Sequence, residues 1–393
     1  MPSRTSSPET DSLAGIRRAS LNRVLRAVDR TPGLSQSEIA AETGLAMGAV
    51  SSVVGELLDA GIVIDDPERA QRGRGRPKRA IILARTSADL VGVTVTRTAV
   101  TARSTTLAGE VVADAAHRFT EVPTIEEAAG VIVTLVERVC AGATDRPPRI
   151  SISIPGATLP VGFGALELNW SPADPTVILD ALTSRGWPVP VIGNDGSFAT
   201  LAEWAGGDAP HVGNTVVILL SRGLGGSAMV NGSLLLGAED APGFGHTPLD
   251  PHGPPCSCGL SGCAELAVSL VHFAVKLGDA ERFDAMTAAE YAAELASRAD
   301  AGDAAVMRVL EDGRRSLHRL GDIVSSLLNP ERVLLTGEGM RLASWLLPGP
   351  VGNIGVPTAT GRYGDDAVLE GTIRASRDRF FADPLGTLTA VGA

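Results

Sequence analysis

Three of the chain's four cysteines fall within eight positions, in the run His246-x9-Cys256-x-Cys258-x4-Cys263-x-Glu265. Three thiolates and one imidazole complete the donor set of a tetrahedral zinc ion. With no position left open, such an ion would be structural and not a Lewis acid. Gly259 and Gly262 stand between donors and would let a short loop fold back around one ion. The competing readings are a chance cluster of reduced thiols and a disulfide. A disulfide framework fits poorly with a long, cysteine-poor chain that shows no export signal.

A second group of chemically capable residues is Asn194-Asp195, in Val191-Ile192-Gly193-Asn194-Asp195-Gly196-Ser197. The pattern places both after a strand and before a helix. A carboxylate there, facing a cleft, suits proton transfer or hydroxyl binding. The same residues could instead cap the helix. The glycine-rich run Ser221-Arg222-Gly223-Leu224-Gly225-Gly226-Ser227 follows the apolar strand Val216–Leu220 and is a weak candidate for a phosphate turn.

A third group is basic. Between Arg69 and Arg79 lie six Lys/Arg and no acid, including Arg72, Arg74, Arg76, Lys78 and Arg79. The segment joins two short apolar runs, Ile62-Val63-Ile64 and Ala80-Ile81-Ile82-Leu83, that read as paired strands. Upstream, an apolar stripe (Leu13, Ile16, Leu21, Val24, Leu25, Val28) predicts a helix over about 12–30. Ser35 and Glu38 form the sequence of a capping box for a short helix from Gln36 to Thr43, which Gly44 ends. A further helix runs from about 46 to 60, with Val50, Val53, Val54, Leu57 and Leu58 inward. This is a winged helix-turn-helix.

The slim cationic Arg-Gly-Arg-Pro tip suits a narrow minor groove. A merely solvated charge run is the bland alternative. The candidate DNA contacts are Ser35, Gln36, Met47, Gly48, Ala49, Ser51, Ser52, Arg72, Arg74, Arg76, Lys78 and Arg79. The exposed half of the recognition helix offers no Arg, Asn or Gln to read bases bidentately. Much of the affinity is therefore expected in the wing.

Charge distribution agrees. Net charge is −11, which argues against a general nucleic-acid coat. Residues 1–82 hold 12 Lys/Arg against 10 Asp/Glu, and residues 83–393 hold 22 against 35. A mildly basic head sits on an acidic body. At 393 residues, 44% of them hydrophobic, the chain has material for two or three cores and no run long enough to cross a membrane. Met1 to Asp11 are polar and Ser/Thr-rich, read as a disordered arm on a cytoplasmic protein.

The run Gly245-His246 through Cys256-Ser257-Cys258-Gly259-Leu260-Ser261-Gly262-Cys263-Ala264-Glu265 resembles the signature of the ROK family (repressors, open reading frames, kinases). Weaker similarity covers nearly the whole chain. The resemblance implies an actin-like (ribonuclease H-like), two-lobed α/β ROK domain behind an α/β winged helix-turn-helix. The expected division is an arm at 1–11, the head at 12–85 and the kinase-like domain at 88–393. Lobe one would take about 88–198 plus the C-terminal helix, and lobe two about 199–372.

The resemblance also implies roles. Asn169-Trp170 resembles the segment that supplies an asparagine to sugar hydroxyls, and Ile154-Pro155-Gly156 the family's proline-glycine turn. Asp195 stands where the kinases keep their general base. The candidate effector contacts are Asn169, Asn194, Asp195, His246 and Glu265. The phosphate machinery departs from the family: Thr94 replaces an Asp, Thr96 and Arg97 replace hairpin glycines, and Glu338 interrupts the adenosine turn. Gly243 stands where a sugar-binding glutamate is usual, leaving Glu265 as the remaining carboxylate.

These features lead us to expect a non-enzymatic regulator, a repressor of carbohydrate-related genes. It would bind operator DNA as a homodimer or tetramer and carry one structural zinc per chain. Its effector could be an altered sugar, a sugar phosphate, or absent. The alternatives are an active sugar kinase with a DNA head and a ligand-blind DNA-binding protein.

Overall fold

A computed structural model describes residues 13–66, 79–85, 90–141, 147–156, 175–206, 213–236, 243–347 and 356–385. The arm, the wing tip with Arg72, Arg74, Arg76 and Lys78, and Asn169-Trp170 lie outside the described residues.

The head begins with α1 (Leu13–Arg30). Its Leu21, Val24, Leu25 and Val28 are buried, but Ile16 faces solvent, so the apolar stripe is shorter than expected. Then come α2 (Gln36–Thr43) and α3 (Met47–Asp59). The capping box forms: Ser35 Oγ accepts from the Glu38 amide, and the Glu38 carboxylate accepts from the Ser35 amide. Gly44 ends α2 at φ 66°, a left-handed conformation that costs glycine little. Strands β1 (Val63–Asp65) and β2 (Ile81–Leu83) pair antiparallel, forming the base of the wing.

Among the described residues the body holds two five-stranded sheets. In the first, β3 (Leu90–Val95), β4 (Ala99–Thr105) and β5 (Val111–Arg118) form an antiparallel meander. After α4 (Ile125–Val139) the chain returns as β6 (Arg149–Ser153), parallel to β3. After α5 (Pro175–Thr183), β7 (Val191–Gly193) joins in parallel beside β6. Cys140, the fourth cysteine, stands at the C-cap of α4 and is partly buried; burial pushes its thiol up to about 11.

Helix α6 (Asp195–Gly206) leads into the second sheet. There β8 (Thr215–Leu220), β9 (Leu224–Val230) and β10 (Ser233–Leu234) repeat the meander. Helices α7 (Leu270–Leu277), α8 (Ala280–Asp284), α9 (Ala288–Asp300) and α10 (Ala304–Leu328) follow. Strand β11 (Arg332–Thr336) then lies parallel to β8. Past α11 (Ala343–Leu346), β12 (Thr358–Thr360) pairs parallel with β11. The strand orders, β5-β4-β3-β6-β7 and β10-β9-β8-β11-β12, are the same winding used twice. The sequence pattern by itself predicts one helix from about Ala264 to Leu277. Instead a single 3-10 turn (Ala264–Leu266) precedes α7, because extended Ser269 breaks the run and caps α7 through the His272 amide.

Helix α12 (Ala367–Ala382) joins the parts. It packs on β3, β6 and α6, while α6 packs on β8 and β9. The α6–α12 contact is close enough that a Cβ on Gly371 would lie 1.9 Å from the Phe198 carbonyl oxygen. At its far end α12 meets α1. Phe380 and Phe381 share a core with Leu21, Val24 and Leu25 of the head. Arg377 pairs with Asp29 at 2.5 Å, and Asn22 donates to the Phe381 carbonyl at 3.0 Å.

Candidate metal centre, ligand cleft and nucleic-acid interface

The cysteine loop is pinched by two isolated antiparallel bridges, Pro248 with Cys263 and Pro255 with Ser261. Gly259 and Gly262 take φ of 90° and 62°. At Gly262 a Cβ would also lie 1.8 Å from the Asp250 carbonyl oxygen, so the turn needs glycine on both counts. A 3-10 turn, Phe244–His246, brings the imidazole in from the other side.

The donor atoms of His246, Cys256, Cys258 and Cys263 all lie within 4.8 Å of one another. Cys256 Sγ is 3.6 Å from His246 Nδ1, and Cys258 Sγ is 3.6 Å from Cys263 Sγ. Metal–sulfur bonds of about 2.3 Å put tetrahedral sulfurs about 3.8 Å apart, so the cluster has the dimensions of one ion's coordination shell. It is far too wide for a disulfide, and all four cysteines are free. Burial, with Cys258 and Cys256 beside it, pushes the Cys263 thiol up to about 12, so without a cation it would stay protonated. Burial lowers the His246 pKa, keeping its ring neutral as a metal ligand requires.

The candidate effector residues adjoin this loop. Glu265 follows Cys263 by two residues, and its Oε2 stands 3.8 Å from His246 Nδ1, the nitrogen that also faces Cys256. Burial and the charge of Asp195 raise the Glu265 carboxyl to about 7, so the two acids share one field. Asp195 opens α6. The Gly196 amide donates to Asn194 Oδ1 at 2.7 Å, as a cap would, and to the adjoining Asp195 Oδ1 at 2.8 Å. Asn194, Asp195, His246 and Glu265 are thus assembled around one edge of α6. At Gly243 a Cβ would meet nothing nearer than His246, at 3.8 Å, so the missing side chain is absent from an accommodating position.

The first phosphate turn is built without glycine. Thr96 closes it with its own hydroxyl, which accepts from the Ala99 amide at 3.1 Å. Thr94 lies on β3, leaving no carboxylate at that strand. Glu338, whose carboxyl is raised by burial, hydrogen-bonds Ser221 at the second turn.

On the DNA side, Met47, Gly48, Ala49, Ser51 and Ser52 form the exposed start of α3. Gln36 is half-buried, and Arg79 pairs with Asp65 at 3.7 Å. Ser35 is a correction: it is buried, with its hydroxyl 2.6 Å from Glu38 Oε2, so it positions α2 instead of facing DNA. Sequence reasoning also missed Asp284. It ends α8 and pairs with Arg97 and Arg222 of the two hairpin turns. A lone acid on a short helix gives no pattern to find.

A winged head on a body of two alike sheets, with acids and a thiol cluster at the cleft, defines a class shared by sugar kinases and DNA-binding regulators. The ROK family model matches residues 90–351, and a MarR family model matches residues 23–73. This chain belongs to the ROK family. It is 28% identical over 282 residues to a glucokinase of Halalkalibacterium halodurans, covering 65% of this chain and 82% of that protein. It is 24% identical over 341 residues to the DNA-binding transcriptional dual regulator NagC of Escherichia coli, covering 83% and 82%. A crystal structure described as a ROK family transcriptional regulator, homolog of the E. coli MLC protein, superposes with TM-score 0.75 at 22% identity. That match covers 93% of this chain and 97% of the other, so the fold extends across head and body. Among the described residues no helix is long and apolar enough to cross a membrane.

Proposed function

We propose that this chain is a DNA-binding, sugar-responsive transcription repressor of carbohydrate-related genes, acting in the cytoplasm as a symmetric dimer or tetramer. One observation carries the reading: a winged helix-turn-helix head is packed onto the helix α12 that also packs on α6, the helix opening at the ligand cleft. We divide the chain into a head over 12–85 and a body over 88–393. Regulator relatives that span most of the chain support the fusion.

Ligand held by Asn194, Asp195 and Glu265, with Asn169, would bias the position of α6. Through the close α6–α12 contact that bias reaches α1. The ligand acts only to the extent that it binds one arrangement better than the other. Two heads on a two-fold axis would then change their spacing against a palindromic operator. The base-reading work falls on Met47, Ala49, Ser51 and Ser52. Arg72, Arg74, Arg76 and Lys78 of the wing supply phosphate and minor-groove contacts.

We assign zinc to His246, Cys256, Cys258 and Cys263 in a structural role: when bound it would fix the loop that carries Glu265. Kinase activity is not part of this reading. Without a carboxylate at Thr94 a metal anchor for phosphoryl transfer is missing. Asp195 is then a kept base position that now binds hydroxyls.

Capture and sequencing of genomic fragments by the purified protein tests the proposal. A sharp motif is expected, lost in an Arg74→Ala/Arg76→Ala variant, whose residual DNA binding should also depend less on salt. Diffuse enrichment in both proteins would overturn it. The second reading, an active sugar kinase, is favoured by the presence of Asp195 and by the glucokinase relative. It requires sugar-dependent ATP turnover that Asp195→Asn abolishes.

A further inference from the structure

We propose that Cys258 and Cys263 are an oxidant-sensitive pair: a hydroperoxide joins them in a disulfide, and the site gives up its metal. The proposal rests on the assignment of a metal to these donors and adds a covalent modification that regulates the site. Of the three thiols in the loop, the geometry selects this pair. Cys258 Sγ stands 3.6 Å from Cys263 Sγ, whereas Cys256 Sγ faces His246 Nδ1 at 3.6 Å. Only one residue separates Cys256 from Cys258, too short a span for an unstrained bridge, while four separate Cys258 from Cys263.

The two thiols differ in the way that attack and resolution require. Cys258 is partly exposed, and Ser257, Gly259 and Leu260 around it all face solvent. Cys263 is 1% exposed, and its thiol donates to the His246 carbonyl at 3.5 Å. Peroxide therefore reaches Cys258 first. The sulfurs must close from 3.6 Å to about 2.05 Å. The turn between them has room for that shift: among the described residues, a Cβ on Gly259 would meet nothing within 4 Å. The base of the turn is pinned by the Pro255–Ser261 bridge and by the Gly262 amide, which donates to the Pro254 carbonyl at 2.8 Å. Cys258 moves on the open tip, and Cys263 stays where the fold holds it.

A metal-bound thiol is held as the thiolate, the form that attacks peroxide. The Cys258 sulfur attacks one peroxide oxygen, the O–O bond breaks, and a sulfenic acid and hydroxide result. The Cys263 sulfur then attacks the Cys258 sulfur. The S–S bond forms, the S–O bond breaks and a second hydroxide departs. Each hydroxide takes up a proton to become water. The two thiolates have lost two electrons and the peroxide has gained them. His246 and Cys256 alone do not complete a tetrahedral shell, so the metal leaves. Reduction by a dithiol reverses the step. Cys263 precedes Glu265 by two residues and its thiol holds the His246 carbonyl, so oxidation reaches two of the candidate effector residues.

Titration of the full-length, zinc-loaded protein with hydrogen peroxide tests this. Zinc release is read by a chelating dye, and each cysteine is mapped by peptide mass spectrometry. About one zinc should appear per peroxide consumed, together with a Cys258–Cys263 disulfide. Dithiothreitol and zinc should restore the starting state. Cys140 is the internal reference: burial raises its thiol to about 11, and it should react at least about tenfold more slowly. Cys256→Ser keeps both sulfurs of the pair and should still form the bond. A disulfide to Cys256 in the parent chain would overturn the proposal. So would zinc that stays bound until the thiols reach sulfinic or sulfonic acid, or Cys140 oxidising as fast as Cys258. A purified chain that takes up no zinc would overturn the metal assignment itself, a failure distinct from zinc loading without a disulfide. None of these readouts involves sugar or DNA.

Discussion

Gly243 shows what one side chain can decide. A Cβ there meets only the His246 ring, at an ordinary contact distance. Gly243→Glu should therefore fold normally and supply an extra acceptor for sugar hydroxyls, worth about 1–3 kcal/mol. The measurement is hexose affinity by calorimetry; a variant that binds no better would show that the glutamate position does not face the ligand. The metal donors were legible in the sequence because they crowd one loop, and spacing alone defined the set. Asp195 and Glu265 were legible only as separate candidates, since their proximity comes from the fold. Arg97 and Arg222 stood out in the sequence merely as damaged glycine turns. Nothing short of tertiary structure places two such distant turns against one aspartate.

The helices of the head were legible to within a residue or two because their ends carry local signals, such as Ser35 with Glu38 and Gly44. The 3-10 turn before α7 was not, because the apolar run continues through the break and only the backbone at Ser269 interrupts it. The element with most leverage is α12. Gly371→Ala would force its backbone away from Phe198. We expect a loss on the order of 1–3 kcal/mol in denaturant unfolding, as for other overpacked contacts. An unchanged midpoint would mean that the helices separate freely. In the head, removing the Ser35 hydroxyl with Ser35→Ala should cost about 1 kcal/mol. Because Ser35 is buried, the loss should appear in thermal unfolding and not as a change in base preference.

The repeated strand order was not legible in the sequence, since the two sheets share a winding and no detectable repeat. The bond between head and body was equally hidden. Arg377 is buried against Asp29 and also donates to the Leu107 carbonyl at 2.6 Å. Burial lowers its pKa despite Asp29, so its charge tolerates little further loss of partners. Asp29→Asn should loosen the head, seen as faster amide exchange in α1 and the end of α12 with α4 and β6 unaffected. Unaltered exchange in α1 would mean that the apolar contacts of Phe380 and Phe381 suffice. Removal of the proposed metal should act on the whole body. A chelator, or Cys258→Ser, should lower the melting temperature by several degrees, whereas Cys140→Ser should respond to chelator as the parent does.

Two contacts meet at His246: Nδ1 faces Cys256 Sγ and stands 3.8 Å from Glu265 Oε2. An effector receptor built on a metal loop is conditional on the supply of that metal. On the function and metal proposed above, a cell starved of zinc would make a chain whose head still recognises its operator but whose receptor is deaf. Genes under its control would then stay in the unliganded state whatever sugar is present, coupling carbohydrate use to metal nutrition through one imidazole.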